Sequence, residues 1–159
     1  MPIYYFDSSG LVKRYVSEVG SNWVISLTDP AAGNHIYVAN ITGVEVPAAI
    51  NKRVRMGDID AADAAAAITN FENDLANQYH LLEATDSILK SAAALTSNRQ
   101  LRAYDAVQLA VALEINKELL ALGMPAVGMP ALTLVSADDD LNNAAAAEGL
   151  NVDDPRNHP

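Results

Sequence analysis

Four acidic side chains stand where an α/β protein would expose chemistry. Asp7 ends the apolar run "IYYF", and Glu45 follows Thr42 by three residues. Asp105 lies in "LRAYDAVQLAVAL", and Asp138 follows "LTLVS". Gathered at one place, four carboxylates repel one another unless a cation neutralises them. The set offers oxygen donors only. The chain has no cysteine, and His35, His80 and His158 lie outside these motifs. Such donors suit Mg²⁺ or Mn²⁺ rather than zinc, and a cation held by a few carboxylates suits phosphodiester hydrolysis.

Each acid also has a plain structural role open to it. Asp7 and Asp138 are candidate helix N-caps, and Thr42-x-x-Glu45 reads as a capping box. Asp105 could complement a helix dipole or pair with Arg102 one turn away. Singly none is specific, and it is their joint placement that carries the metal-site reading. Pro47 removes a backbone donor inside the helix of Glu45 and is expected to kink its first turn.

Bases crowd near three of these acids: Lys13 and Arg14; Lys52, Arg53 and Arg55; Arg99 and Arg102. Solvated helix faces and local ion pairs are their default use. Beside a carboxylate–metal site they could instead touch phosphates of an entering strand. Arg102 is the strongest candidate, with Arg14 and Arg53 behind it. Tyr15 and Tyr104 carry rings able to stack on bases, but a core role is the default for both.

The elements that must position these residues follow from periodicity. Strands are expected at "IYYF", "HIYVAN", "HLLEA", "LTLVS" and "LNV". Helical segments are expected at "LVKRYVSEVG", "SNWVISLTD", Thr42 to Met56 with Gly57 as the stop, Asp58 or Asp60 to about Tyr79, Thr85 or Asp86 to about Ser97, the Asp105 stretch to about Leu122, and onward from Asp138. "GMPAVGMP" reads as a Gly/Pro loop. Strands alternating with helices imply a parallel sheet covered on both faces, with sites beyond the carboxyl ends of the strands where strand order reverses.

At 159 residues, half of them hydrophobic, the chain suits one domain, 1–152, with 153–159 expected as a frayed tail. A net charge of −10 argues against non-specific nucleic-acid binding. No apolar run approaches the roughly 20 residues of a membrane span, and the N-terminus has no secretory pattern, so a cytoplasmic protein is expected. No glycine-rich phosphate loop is present, no serine has a nucleophile-elbow setting, and "FDSSG" lacks the second aspartate of an aspartyl-phosphate phosphatase.

Taken together, "YYFDSSGLVKRYVSE", "ITGVEVPAAI", "LRAYDAVQLAVAL" and "LVSADDDL" resemble the PIN domain, and within it the VapC-like ribonuclease toxins of type II toxin–antitoxin pairs. The motifs occur in the family's order from end to end of the chain. The resemblance implies a three-layer α/β/α fold with a parallel sheet ordered 3-2-1-4-5. It further implies a Mg²⁺- or Mn²⁺-dependent endoribonuclease acting on single-stranded regions of RNA, a homodimer, and neutralisation by a cognate antitoxin. Carried over, Asp7, Glu45, Asp105 and Asp138 form the acidic quartet. Asp7, Asp105 and Asp138 would hold metal, with Ser9 and Ser136 supporting the site. Two other classes stay open: a PIN-like module that binds RNA or an antitoxin without cutting, and a phosphohydrolase of small substrates. An open groove lined by Arg14, Arg53 and Arg102 would speak for RNA, and a closed pocket for the small substrate.

Overall fold

Alternating side chains on β1 (Ile3–Phe6) feed two cores at once. Ile3 and Tyr5 face one way, into a core with Leu134 and Leu109, while Phe6 faces the other, with Val38, Val46 and Phe71. A strand buried on both faces is the mark of a central parallel strand. The computed structural model describes residues 2–124 and 131–159, and its sheet bears this out. β1 pairs in parallel with β2 (His35–Ala39) on one side and β4 (Thr133–Val135) on the other. β3 (His80–Leu82) and β5 (Asn151–Asp153) complete the order β3-β2-β1-β4-β5, all parallel. The expected strand order and three-layer architecture are therefore present. Most of the "GMPAVGMP" loop lies outside the described residues.

On one face pack α1 (Ser8–Leu11), α2 (Ser21–Thr28), α3 (Thr42–Met56) and α4 (Ala61–Asn77). On the other pack α5 (Asp86–Asn98), α6 (Ala103–Ala121) and α7 (Asp139–Ala147). Local chemistry sets their starts. Asp60 accepts from the amide of Asp63, Thr85 from Ile88 and Asp138 from Leu141, each satisfying a donor with no partner inside its helix. Gly57 ends α3 at φ 79°, where its amide reaches back to the carbonyls of Arg53 and Val54. α3 runs continuously through Pro47. α6 is sandwiched between the sheet and α5, which explains its nearly uniform apolar character.

Two segments depart from expectation. "LVKRYVSEVG" is not one helix: α1 ends at Leu11 and a 3₁₀ turn spans Val12–Arg14. The chain then turns because Lys13, 4% exposed, holds Glu18 Oε2 at 2.9 Å and the Val19 carbonyl at 3.0 Å. The C-terminal segment is folded rather than frayed. Pro155–Asn157 form a 3₁₀ turn, and His158 stacks on Trp23 with ring centroids 4.1 Å apart. Gly20 (φ 88°) backs against this turn so closely that a Cβ there would sit 2.2 Å from the Pro155 carbonyl oxygen.

Candidate active site at the strand-order reversal

Strand order reverses between β1 and β4, and the acids lie beyond the carboxyl ends of those two strands. Asp7 immediately follows β1. Its amide bonds the Val135 carbonyl (3.2 Å), and its carboxylate is 2% exposed. Ser9 Oγ donates to Asp7 at 2.9 and 3.0 Å, and the Gly10 amide reaches Oδ1 at 2.9 Å. Gly10 has to be glycine, since a Cβ would meet the Val135 carbonyl oxygen at 2.6 Å. Burial pushes the Asp7 pKa up to about 7 against these hydrogen bonds, and the charge of Glu45 adds to the rise.

Ser9 also ties the two strand ends together. Its Oγ lies 3.3 Å from Ser136 Oγ and accepts the Ala137 amide at 2.9 Å, while Ser136 Oγ accepts the Asp138 amide at 3.0 Å. Asp7 and Asp138 are thus helix caps and strand-end acids together. Capping engages Oδ1 of each, so the structural role does not exhaust the carboxylate.

Glu45 does not form the expected capping box. Thr42 lies inside α3, whose N-cap is Ile41 without a side-chain bond. Glu45 is instead held from α6: Gln108 Nε2 donates to Glu45 Oε1 at 2.6 Å and to Thr42 Oγ1 at 3.0 Å. The buried Tyr5 hydroxyl donates to Gln108 Oε1, and Ser8 Oγ reaches Glu45 Oε2 at 3.3 Å. Gln108 is a site residue to which the sequence reading assigned no role. A glutamine three residues after Asp105 in an otherwise apolar helix was the available signal. Burial raises the Glu45 pKa, Gln108 and Ser8 oppose the rise, and Asp105 adds to it.

Asp105 occupies the first turn of α6, half-buried, at the mouth rather than in the buried middle of that helix. Burial raises its pKa, the charge of Asp138 adds to this, Arg102 opposes it and Asp140 contributes a further rise. The acids are therefore coupled in series, Asp7 to Glu45 to Asp105 to Asp138. Asp139 turns away to pair with Arg156. Among the described residues, no three His, Asp or Glu side chains close to metal-holding geometry. The donor set nonetheless has the chemistry of a hard-cation site: carboxylate oxygens only, mutually repelling, opposed by one guanidinium.

The three candidate arginines separate. Arg102 lines an open groove of about 830 Å³ whose walls include Ser8, Glu45, Val44 and Tyr104. Arg14 does not join it. Its Nε meets Asp74 Oδ2 at 3.0 Å, its Nη1 reaches the Thr28 carbonyl at 2.6 Å, and its Nη2 faces Gln78. Arg53 pairs with Glu18 beside a neighbouring depression that also includes Ser9 and Lys13. Lys52 and Arg55, not Arg53, face the Glu45 groove. Helical spacing held that answer, because 45, 48, 49, 52 and 55 recur at three or four residues. Tyr15 has the expected interior role, packed edge-on against Phe71. Tyr104 does not; it is 66% exposed on the groove.

No family model matches the chain. It is 31% identical to Ribonuclease VapC45 of Mycobacterium tuberculosis over 152 residues, covering 96% of this chain and 95% of that protein. Among solved structures it is similar to VapBC2 from Rickettsia felis bound to a DNA fragment from their promoter, with TM-score 0.61, 12% identity, and 96% and 98% of the two chains covered. It is also similar to VapC20 of Mycobacterium tuberculosis, described as a sarcin-ricin loop cleaving toxin, with TM-score 0.59, 15% identity, and 92% and 95% covered.

Proposed function

Because the chain belongs to the VapC-like family of PIN-domain toxins, we propose that it is a Mg²⁺- or Mn²⁺-dependent endoribonuclease hydrolysing single-stranded regions of RNA. The carrying observation is the gathering of Asp7, Glu45, Asp105 and Asp138 at one rim of the sheet, where Glu45 bears on Asp7, Asp105 on Glu45 and Asp138 on Asp105, with Arg102 offsetting the charge at Asp105. One buried and three part-buried like charges are costly to hold ionised without a counter-ion.

In this reading Asp7, Asp105 and Asp138 hold the cation, and Ser9 and Ser136 fix the two strand ends that present Asp7 and Asp138. A divalent cation held there would supply charge stabilisation for the phosphoryl oxygens and a more acidic water. Glu45, steered by Gln108 and Ser8, accepts the proton of the attacking water as the phosphorus–oxygen bond to the leaving nucleotide breaks. The groove beside the acids is open and partly cationic, which favours a polymer over a small phosphorylated substrate. The same reading carries a cognate antitoxin as the neutralising partner, a homodimeric state and a cytoplasmic setting. Among the described residues, no helix is long and apolar enough to cross a membrane.

Cleavage of a mixed single-stranded RNA pool by the purified protein tests this, with Mg²⁺, with EDTA, and with Asp105→Ala. Cutting that needs the metal and is lost in the variant supports the reading. No cutting by folded, antitoxin-free protein with Mg²⁺ present overturns it in favour of a binding module.

A further inference from the structure

The groove beside Glu45 carries features that the hydrolytic step leaves unused. Tyr104 directly precedes Asp105, yet its ring is 66% exposed at the start of a helix whose middle, Ala106 to Ala112, packs into the core. Ile41, Val44, Ala48 and Ala49 form an apolar wall of the same groove, with Val44 73% exposed. Lys52, Arg55 and Arg102 rim it, and among the described residues none of the three lies within ion-pair distance of an acid. Elsewhere most cations are committed: Lys13 and Arg53 to Glu18, Arg14 to Asp74, Arg99 to Glu148, Lys117 to Glu114 and Arg156 to Asp154, with Lys90, exposed on α5, the exception among the described residues. On a chain of net charge −10, three cations with no ion pair among the described residues, beside one exposed aromatic ring, are complementary to a polyanion with planar faces.

We infer that Tyr104 is a stacking platform for an unpaired nucleobase next to the scissile phosphate, with Arg102, Lys52 and Arg55 holding the backbone that leads away from the acids. This rests on the ribonuclease reading and deepens it. The helix supplies the track: Lys52 and Arg55 lie about 10 and 15 Å along α3 from Glu45 at the usual rise per residue. A base can reach a tyrosine face only when it is out of its own stack, so this site itself selects single-stranded or extruded nucleotides and excludes regular duplex. An acidic protein segment is the competing occupant; it would use the cations but not need the ring.

The test uses single-stranded RNA decamers in which 2-aminopurine replaces each adenine in turn, mixed with the wild-type protein in EDTA so that binding is read without cutting. Stacking quenches one probe position. Tyr104→Ala is expected to abolish that quench and weaken binding about 10-fold, and Tyr104→Phe to retain both. With Mg²⁺, Tyr104→Ala should raise KM by about the same factor, while Tyr104→Phe stays within about twofold. Lys52→Gln and Arg55→Gln should each reduce the salt dependence of log K by about 0.7. Wild-type quenching that Tyr104→Ala leaves intact, or equal KM values for the two proteins, overturns the platform and assigns the groove to a protein segment. Failure of the ribonuclease reading is distinguishable, since folded wild-type protein would then not cut with Mg²⁺ while the quench in EDTA still reports on stacking.

Discussion

Two aspartates withdrawn from water are treated in opposite ways. Asp74, at the end of α4, has a guanidinium 3.0 Å away on Arg14 and the Tyr15 hydroxyl at 2.8 Å. Asp7, more deeply buried, has hydrogen bonds from Ser9 and the Gly10 amide but a like charge, Glu45, as its influential charged neighbour. The first arrangement is self-sufficient: one charge cancels another and the fold is held. In the second, burial and a like charge hold the carboxyl's pKa up to about 7. The cations repeat the contrast, with Arg14 and Arg53 paired and, among the described residues, Arg102, Lys52 and Arg55 within ion-pair distance of no acid.

The contrast breaks most visibly at Asp105. Asp105→Asn is expected to lower RNA cutting by about a thousandfold or more, the scale on which losing an electrostatic group from an active site acts. Its melting temperature should hold or rise, because a repelling charge leaves a coupled series. A fall in melting temperature together with activity would make Asp105 structural. Arg14→Met should do the reverse. Leaving Asp74 poorly paired should cost about 3 kcal/mol in a denaturant melt, with cutting per folded molecule unchanged. Lost cutting by fully folded Arg14→Met would return that arginine to the substrate.

A pH series sharpens the comparison. The folded pKa of Asp7 is raised to about 7 from 3.8, so the native state binds this proton more tightly than the unfolded chain. Metal-free protein should therefore lose stability as pH rises from about 4 to about 7, at up to about 1.4 kcal/mol per pH unit. Asp7→Asn should flatten that slope, and Mg²⁺ should offset the loss near neutrality. An identical slope in Asp7→Asn would sink the assignment. The smallest effect belongs to Arg53→Gln, which removes a part-exposed pair with Glu18. About 0.5–1 kcal/mol of stability should go, with no change in KM for RNA.

Much of the fold was legible because its signals are local. The alternation in "IYYF", the stop at Gly57 and the caps at Asp60, Thr85 and Asp138 each involve residues a few positions apart. Where the reading failed, a distant partner had intervened. Thr42 and Glu45 have capping-box spacing, but Gln108, 66 and 63 residues away, recruits both. The tail has the composition of a frayed end, but Trp23 and Gly20 give it a surface to pack on.

The sequence by itself determined which acids end strands or start helices, because periodicity and capping are written in short windows. It also carried the parallel α/β class. Only the tertiary structure decided which charges were spent. Arg14 and Arg102 are the same side chain, each within a few residues of a motif acid, and no local rule separates them. The difference is that folding brings Asp74 and Thr28 to Arg14 and brings no partner acid within ion-pair distance of Arg102 among the described residues. Long-range charge pairing depends on which chain segments meet, and that is settled by the packing of helices on the sheet, not by propensity along the chain.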